Sequence, residues 1–363
     1  MHDVSAETPT VAGSTVPSSL APHTTLRLGG SARRLDSAGN ADELVELTKA
    51  AGRTGDPLLL LAGGSNVVIG DEGFAGTAIL IRSRGVEVIS RRPDQLIVRV
   101  QAGHPWDEFV AETVEAGWSG VECLSGIPGS TGATPIQNVG AYGQDVSETI
   151  RSVTVYDRAD GVVRDMPAAD CGFGYRASVF KHNDRYVVLT VDFRLLPDAL
   201  SGPVRYAELA RSLGVEQNAR VPLAAARESV LALRAGKGMV LDADDRDTWS
   251  VGSFFTNPVL DAAAWEHLRT ATEGIGEPPG WPGEGGRVKV SAAWLIDRAG
   301  FGKGYPGGDV PVSISTKHTL ALTNRGSGTT AQLLGLAREI RDGVRERFGV
   351  VLHPEPVLVG CEI

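Results

Sequence analysis

The sequence predicts an α+β fold in more than one domain. The chain has 363 residues, which exceeds one ordinary hydrophobic core and indicates two or three domains. Short runs of β-branched and apolar residues follow one another, with few helical patterns between them. No internal repeat is visible. Strands mixed with few helices are typical of the α+β class.

The elements of the N-terminal half follow from local patterns. Leucines at helical spacing predict a helix over 41–51, which Asn40 caps and Gly52 ends. A second helix is predicted to begin at Pro105 and to end at Gly117. Strands are predicted, in order, at 58–61, 77–81, 86–90, 96–100, 153–157, 162–165 and 186–195.

The C-terminal half predicts a second α+β unit. Helices are expected at 225–233, 262–272 and 288–299, and strands at 310–314 and 320–323. The Gly/Pro-rich stretch 273–286 is expected to be a surface loop. Thr329 or Thr330 caps a last helix, whose apolar residues repeat at helical spacing as far as Phe348.

The composition bounds the class of function. The chain is 42% hydrophobic and 22% charged, with a formal net charge of −9 and a pI near 5.4. This balance argues against a general nucleic-acid or anionic-membrane surface, so an anionic ligand would be met by local cations. Cys123, Cys171 and Cys361 are scattered and form no CxxC pair. They favour neither a disulfide framework nor a metal site, and they predict a reducing, cytoplasmic location.

The N-terminal residues 1–19 are predicted to be a disordered tail. They are rich in Ser, Thr and Pro and lack both the basic region and the apolar region of a signal peptide. No apolar run approaches the ~20 residues that a membrane-spanning helix needs.

Two glycine-rich turns are the strongest local signal. The first follows the strand 58–61 in LLLLAGGSN, and the second lies within the segment 117–143, which has neither helical nor strand periodicity. Turns of this kind leave backbone N–H groups free to bind a phosphate. A simple reversal of the chain is the alternative for either turn, because neither the GxGxxG pattern nor a P-loop is present. Two such turns together predict a bound diphosphate.

Four segments resemble the UDP-N-acetylenolpyruvoylglucosamine reductase (MurB) family. In chain order they are LAGGSNVVIGDEGF (61–74), LSGIPGSTGATPIQNVGAYG (124–143), GYRASVFK (174–181) and GSFFTNPV (252–259). The resemblance runs from about Leu20 to the C-terminus. It implies an FAD-binding domain of the PCMH/vanillyl-alcohol-oxidase type at 20–197, in two lobes of about 20–85 and 86–197. After this domain, the resemblance implies a connection with a tyrosine loop at 198–224 and a smaller α+β substrate-binding domain at 225–350. It also implies a last segment, 351–363, that returns to the active site.

The activity that the resemblance implies is that of an NADPH-dependent flavoprotein oxidoreductase. It would reduce the enolpyruvyl group of UDP-N-acetylglucosamine enolpyruvate to UDP-N-acetylmuramate, in peptidoglycan synthesis and hence in cell wall biogenesis, cell shape and cell division. FAD would be bound non-covalently and reduced by NADPH, and the protein would be a monomer without nucleic-acid or membrane partners. The implied cofactor-binding residues are Gly63, Gly64, Ser65, Asn66, Ser125, Gly126, Ile127, Pro128, Gly129, Gly132, Ala133, Asn138, Gly140, Ala141 and Tyr142.

Three residues match the family's catalytic positions: Arg176, Ser253 and Glu355. Hydride from the reduced flavin would reach the β-carbon of the substrate, and Ser253 would give a proton to the α-carbon. Arg176 and Glu355 would stabilise the enolate-like charge between these steps. Each has an ordinary structural alternative: a surface arginine, a turn serine and an exposed edge glutamate. His353 stands where some relatives carry an acidic residue.

Four further residues match positions that contact substrate in the family: Tyr206, Lys237, Asn257 and His318. A solvated lysine and a satisfied core histidine are the alternatives for Lys237 and His318. Two other functions stay open at this point. One is an oxidase of the same broad fold, with flavin attached through histidine or cysteine. The other is a flavin-binding electron-transfer subunit with a bare C-terminal domain.

Overall fold

The computed structural model describes residues 18–363, and its fold is α+β, as predicted. Residues 1–17 of the predicted tail lie outside the described residues. The last two residues of that predicted tail, Ser18 and Ser19, form a short strand that pairs with Ser31 and Ala32. Among residues 18–363, no helix is long and apolar enough to cross a membrane.

Seven α-helices and nineteen strands are present in residues 18–363. The helices are α1 (Ala41–Thr54), α2 (Trp106–Glu115), α3 (Ala207–Leu213), α4 (Leu223–Gly236), α5 (Ala262–Ala271), α6 (Ala292–Arg298) and α7 (Thr330–Phe348). The strands as far as residue 145 are β1 (Ser18–Ser19), β2 (Ser31–Ala38), β3 (Leu58–Leu61), β4 (Val67–Ile69), β5 (Phe74–Ile81), β6 (Val86–Arg92), β7 (Gln95–Gln101), β8 (Trp118–Ser119), β9 (Gly140–Ala141) and β10 (Gln144–Asp145). The others are β11 (Ile150–Asp157), β12 (Val162–Pro167), β13 (Tyr186–Pro197), β14 (Val259–Leu260), β15 (Gly280–Pro282), β16 (Val288–Val290), β17 (Val312–Ile314), β18 (Leu322–Asn324) and β19 (Val357–Val359).

The first lobe is built on a four-stranded sheet in the order β1-β2-β5-β3. Strands β2 and β3 both run parallel to β5, and α1 packs on them. The Asn40 side chain accepts a hydrogen bond from the Glu43 backbone N–H and caps α1, as predicted. The predicted end at Gly52 is wrong, because α1 continues to Thr54 and Gly55 adopts the left-handed conformation that ends it.

The second lobe is an antiparallel sheet in the order β12-β11-β13-β7-β6, with β8 beside the end of β13. Helix α2 packs its Trp106 and Phe109 rings against Phe193 of β13, with ring centroids 5.1–5.8 Å apart. All three aromatic side chains are fully buried. This core supports the second glycine-rich turn, because the Trp106 indole donates to the Leu124 carbonyl at 2.9 Å and the Trp106 backbone N–H donates to the Gly129 carbonyl at 3.0 Å.

The C-terminal domain has its own core around Phe254, Phe255 and Phe348. Helix α7 buries the apolar face that its spacing predicted, and Thr329 forms a capping box with Gln332. The helix predicted at 288–299 is wrong in its first part. There Val288–Val290 is a strand between β14 and β15, and Ser291 caps α6. The stretch 273–286 is correspondingly not all loop, because it contains β15.

Two segments connect the domains. The C-terminal strand β19 pairs in parallel with β4 of the first lobe, which brings the 351–363 segment back to that lobe. Helix α4, which the sequence assigned to the second domain, buries its apolar face with α3 and with Cys123 of the second lobe. The buried residues of the C-terminal core all follow α4, apart from Leu26, Leu28 and Val68 of the first lobe.

Glu122 is a fully buried carboxylate that joins the second lobe to the 198–224 connection. It accepts hydrogen bonds from the Gly120 N–H at 2.7 Å, the Gly202 N–H at 2.8 Å and the Gln144 amide at 3.0 Å.

Replacing Glu122 with alanine should lower the free energy of unfolding by about 3 kcal/mol or more, because three buried donors lose their acceptor. Urea unfolding measures this loss. The exposed Glu115→Ala variant at the end of α2 is the control, and an equal loss in both variants would contradict the prediction.

Candidate active site

A cleft of about 370 Å³ lies between the two lobes and the C-terminal domain. Its walls are formed by both glycine-rich turns, the 248–253 segment and single residues from distant elements. Arg176, Ser253 and Glu355 all line this one cleft, although the sequence separates them widely.

The two glycine-rich turns contact each other directly. A Cβ atom on Gly63 would lie 2.5 Å from the Gly129 Cα, and a Cβ on Gly129 would lie 2.6 Å from the Ser65 Oγ. Gly129 also has a φ of +120°, which side chains disfavour. The Asn66 amide donates to the Gln137 side chain at 2.8 Å across the same junction. Only side-chain-free backbone allows the turns to approach so closely.

Nine of the fifteen implied cofactor-binding residues line the cleft: Gly63, Gly64, Ser65, Asn66, Ile127, Pro128, Gly129, Ala133 and Gly140. The other six do not line it: Ser125, Gly126, Gly132, Asn138, Ala141 and Tyr142. Two of the six have clear supporting contacts. The buried Ser125 hydroxyl donates to the Glu122 carbonyl at 2.7 Å, and a Cβ on Gly132 would collide with Ala102.

Arg176 is held by the end of the second turn. Its guanidinium donates to the Gly140 carbonyl at 2.8 Å and to the Asn138 carbonyl at 3.3 Å. The Asn138 amide in return donates to the Gly174 carbonyl at 3.1 Å. Arg176 has a φ of +51°, so these reciprocal bonds hold a backbone conformation that is unusual for a non-glycine residue.

Glu355 faces Arg176 inside the cleft. The Glu355 Oε1 lies 3.3 Å from the Arg176 Nε, and the glutamate side chain is only 16% exposed. Burial raises the pKa of the Glu355 carboxyl above its ordinary value, and Arg176 and Lys181 offset only part of that rise. The carboxyl therefore keeps its proton to a higher pH than an exposed glutamate does.

Ser253 is tied to Glu355 through the backbone. The Glu355 N–H donates to the Phe254 carbonyl at 2.8 Å, and the Thr256 N–H donates to the His353 carbonyl at 3.0 Å. These bonds align the 253–256 segment with the C-terminal segment before β19. The buried rings of Phe254 and Phe255 anchor the same segment in the C-terminal core.

The four residues implied for substrate contact do not line the cleft. Lys237 forms an ion pair with Glu208 at 2.6 Å, and the exposed Tyr206 packs edge-on against Tyr142 with ring centroids 5.5 Å apart. The Asn257 side chain accepts from the Ala292 N–H at the start of α6. The His318 Nδ1 accepts from the Leu320 N–H at 3.1 Å. In this state each of the four contacts other protein groups.

Two cations of the cleft were missed in the sequence. Arg234 lines the cleft, donates to the Met239 carbonyl at 2.8 Å and has a buried Nε atom without a partner among the described residues. Lys181 lines the cleft as well, and its ammonium donates to the Arg176 carbonyl at 3.1 Å. Lys181 is the last residue of GYRASVFK, which contains Arg176, and Arg234 lies three residues before Lys237. In the sequence, Arg234 and Lys181 were distinguished only by a positive charge close to another candidate residue.

Burial lowers the pKa of His318 to about 4, with nearby Lys237 and Lys303 adding to the effect. An unfolded histidine titrates near 6.5, so His318 contributes stability that is present above pH 6.5 and is lost as the pH falls towards 4. We expect the stability advantage of the wild type over His318→Asn to shrink by roughly 1–2 kcal/mol between pH 7.5 and pH 5. The asparagine Oδ1 can replace the Nδ1 acceptor. Urea unfolding at the two pH values measures the difference, and a constant difference would contradict the expectation.

Comparisons with known proteins agree with this architecture. A family model described as UDP-N-acetylenolpyruvoylglucosamine reductase, C-terminal domain, matches residues 244–359, and one described as FAD binding domain matches residues 33–166. The UDP-N-acetylenolpyruvoylglucosamine reductase of Salinispora arenicola is 66% identical over 345 residues, covering 95% of each chain. That of Thermobifida fusca is 58% identical over 348 residues, covering 95% of this chain and 97% of its own.

A solved structure has the same fold. The crystal structure of UDP-N-acetylenolpyruvylglucosamine reductase from Thermus caldophilus superposes with a TM-score of 0.65 and covers 96% of this chain and all of its own. Its sequence identity is 23%, so this likeness supports the fold alone.

Proposed function

This chain belongs to the UDP-N-acetylenolpyruvoylglucosamine reductase family and carries its FAD-binding domain, and we propose that it reduces UDP-N-acetylglucosamine enolpyruvate to UDP-N-acetylmuramate with NADPH. The observation that supports this proposal most is the meeting of Arg176, Ser253 and Glu355 in one cleft beside two glycine-rich turns. The reaction adds a hydride and a proton across a carbon–carbon double bond.

The residues of the cleft fit a non-covalently bound dinucleotide. The backbone of both turns is free of side chains where they meet, which suits the close approach of a diphosphate. Arg234 supplies a partly buried cation beside these turns, and its buried Nε, which has no partner within residues 18–363, is a donor suited to an anion. FAD bound here would take a hydride from NADPH and supply it to the β-carbon of the enolpyruvyl group.

Arg176, Lys181 and Glu355 would stabilise the negative charge that develops on the substrate carboxylate. Arg176 and Lys181 bring positive charge to a cleft in a chain with a net charge of −9. Because burial raises the pKa of Glu355, its protonated carboxyl can donate a hydrogen bond to the same oxyanion. These groups act through charge and hydrogen bonding and change no covalent bond.

Ser253 would give its hydroxyl proton to the α-carbon, and solvent would replace that proton. A serine hydroxyl is a weak acid, but a carbanion is basic enough to take its proton. The 253–256 segment fixes the serine beside Glu355 through backbone hydrogen bonds. This fixed position supports a proton donor that acts on a defined face of the substrate.

The substrate-binding roles of Tyr206, Lys237, Asn257 and His318 stay proposals. Lys237 and His318 are close enough to interact electrostatically, and Lys237 also lies 5.8 Å from the Tyr142 ring centroid. A UDP-sugar diphosphate could displace Glu208 from Lys237, because its oxyanions compete for the same ammonium. A cytoplasmic location, a monomeric state and a role in cell shape and division likewise stay predictions.

The visible spectrum of the purified protein tests the proposal. Without oxygen, NADPH should bleach the flavin absorbance, and the enolpyruvyl UDP-sugar should restore it. UDP-N-acetylglucosamine, which lacks the enolpyruvyl group, is the matched control and should restore nothing. Equal restoration by both sugars, or flavin that remains on acid-precipitated protein, would contradict the proposal.

A further inference from the structure

Residues 23–28 of the first lobe lie between the first glycine-rich turn and the C-terminal domain. A Cβ atom on Gly64 would lie 2.0 Å from the His23 carbonyl oxygen and 2.7 Å from the Thr24 Cα. On the other side, Leu26 and Leu28 are buried in the core that contains Phe254 and Phe255. The segment therefore contacts both the turn and the domain that carries Ser253.

Thr25 makes the polar connection across this junction. Its backbone N–H donates to the Gly64 carbonyl at 3.1 Å. Its hydroxyl has two acceptors within reach, the Ser250 carbonyl at 2.6 Å and the Gly64 carbonyl at 3.3 Å, and the shorter distance favours Ser250. The threonine is only 5% exposed, so water cannot readily replace either bond. One buried residue thus contacts the first turn with its backbone and its hydroxyl, and the same hydroxyl makes its shorter hydrogen bond to the 248–253 segment.

The connection continues from Ser250 to Ser253. The Ser250 hydroxyl accepts a hydrogen bond from the Gly252 N–H at 3.2 Å. Gly252 has a φ of +77°, and this turn directs the chain into Ser253. The Phe254 N–H then donates to the Leu320 carbonyl at 2.7 Å and fixes the segment on its far side. The orientation of Ser253 therefore depends on how Ser250 is held.

Two neighbouring contacts hold the 23–28 segment in register. The Asn324 amide donates to the Leu26 carbonyl at 3.0 Å, and both groups are buried. The Arg27 guanidinium lies 4.0 Å from the centroid of the Trp249 ring, and Arg246 stacks on the same indole at 3.5 Å. Trp249 directly precedes Ser250. Cation–π contacts at this tryptophan therefore add to the hydrogen bond that Thr25 makes.

We propose that Thr25 is a positioning residue, which sets the distance and orientation of Ser253 relative to the turn formed by Gly63 and Gly64. This inference rests on the proposed function, since it concerns the proton-donating serine of that reaction. A displacement of reacting groups by about 1 Å can cost up to 10²-fold in rate. In the proposed reaction the reduction of the flavin by NADPH does not use Ser253, so only the step that consumes the enolpyruvyl sugar should depend on this connection.

The test compares the two half-reactions of the FAD-loaded full-length protein by stopped-flow absorbance. Thr25→Val keeps the shape of the side chain and removes its hydroxyl, whereas Thr25→Ser keeps the hydroxyl. In Thr25→Val, reoxidation of the reduced flavin by the enolpyruvyl UDP-sugar should slow by about 10–10²-fold, with reduction by NADPH unchanged. Thr25→Ser should restore most of the lost rate.

Thr113→Val is the matched control. Thr113 is a buried threonine of α2, and its hydroxyl donates within its own helix to the Val110 carbonyl at 2.8 Å. This variant also loses a buried hydroxyl, but it should leave both half-reactions unchanged. Ser250→Ala removes the hydroxyl that accepts from the Gly252 N–H, and it should likewise slow reoxidation of the flavin without slowing its reduction. This second variant keeps the test decisive if Thr25→Val does not fold.

Three results would overturn the inference: equal slowing of both half-reactions in Thr25→Val, wild-type reoxidation in that variant, or a Thr25→Ser enzyme as slow as the valine variant. If Thr25→Val does not fold, wild-type reoxidation in Ser250→Ala would overturn it. Failure of the proposed function is distinguishable, because the wild-type flavin itself would then not be reoxidised by the enolpyruvyl sugar.

Discussion

Replacing Ser253 with alanine is expected to slow turnover by about 10²–10⁴-fold while NADPH still reduces the flavin at the wild-type rate. The alanine enzyme has no hydroxyl to protonate the α-carbon, so the charge that follows hydride addition cannot be neutralised efficiently. Ser253 lines the cleft, and the 253–256 backbone stays anchored by its neighbours. The substitution should therefore change chemistry and leave the fold intact.

Stopped-flow measurement of each half-reaction, with steady-state kcat beside it, checks this expectation. Ser229→Ala is the control, because Ser229 lies on α4 away from the cleft and its hydroxyl pairs with that of Ser212 at 2.8 Å. If Ser253→Ala also failed to be reduced by NADPH, the serine would be part of the cofactor site, and the proton-donor role would lose its support. Turnover of Ser253→Ala at the wild-type rate would contradict the proton-donor role of the serine.

Replacing Gly63 with alanine should abolish stable FAD binding. The new Cβ would lie 2.5 Å from the Gly129 Cα and 3.0 Å from the Gly129 carbonyl carbon, both backbone atoms that cannot rotate away. The two turns would have to separate, which removes the close approach that a diphosphate needs. Overpacking of this kind typically costs about 1–3 kcal/mol of stability.

Gly52→Ala is the matched control for that variant. Gly52 lies inside α1, and no atom lies within 4 Å of the Cβ that alanine would add. The same chemical change there should raise stability by about 0.5–1 kcal/mol, since alanine favours a helix over glycine. The FAD content of purified protein and the FAD dissociation constant measure the effect. Full FAD occupancy in Gly63→Ala would contradict the role of the two turns.

Several predictions from the sequence depended only on local signals, and these agree with the structure. The strand 58–61 ends at the first glycine-rich turn, because an apolar run forms a buried strand and the two glycines that follow it favour a turn. Helix α7 buries the apolar face that its spacing indicated, and Thr329 caps it. Signals two to four residues apart along the chain suffice for such elements.

Errors arose where two local signals competed. Gly52 suggested a helix end, yet a glycine can lie inside a helix when a better C-terminal cap, Gly55, follows within a turn. The apolar run at 288–299 suited a helix as well as a strand. Antiparallel pairing of Val288–Val290 with both β14 and β15 decided for a strand, and the apolar periodicity within 288–299 carries no information about those partners.

Local sequence patterns were enough to predict the α+β class, the two glycine-rich turns and the residue types available for chemistry. The resemblance of the sequence to one family identified Arg176, Ser253 and Glu355 as candidates. Three contacts came to light only in the folded chain. Arg176 faces Glu355 at 3.3 Å, Arg234 and Lys181 line the same cleft, and Thr25 connects the first turn to Ser250. The difference lies in how far apart the interacting residues are in the sequence. Backbone conformation follows from near neighbours, whereas burial, side-chain pKa values and strand or ion pairing depend on groups that only the folded chain brings together.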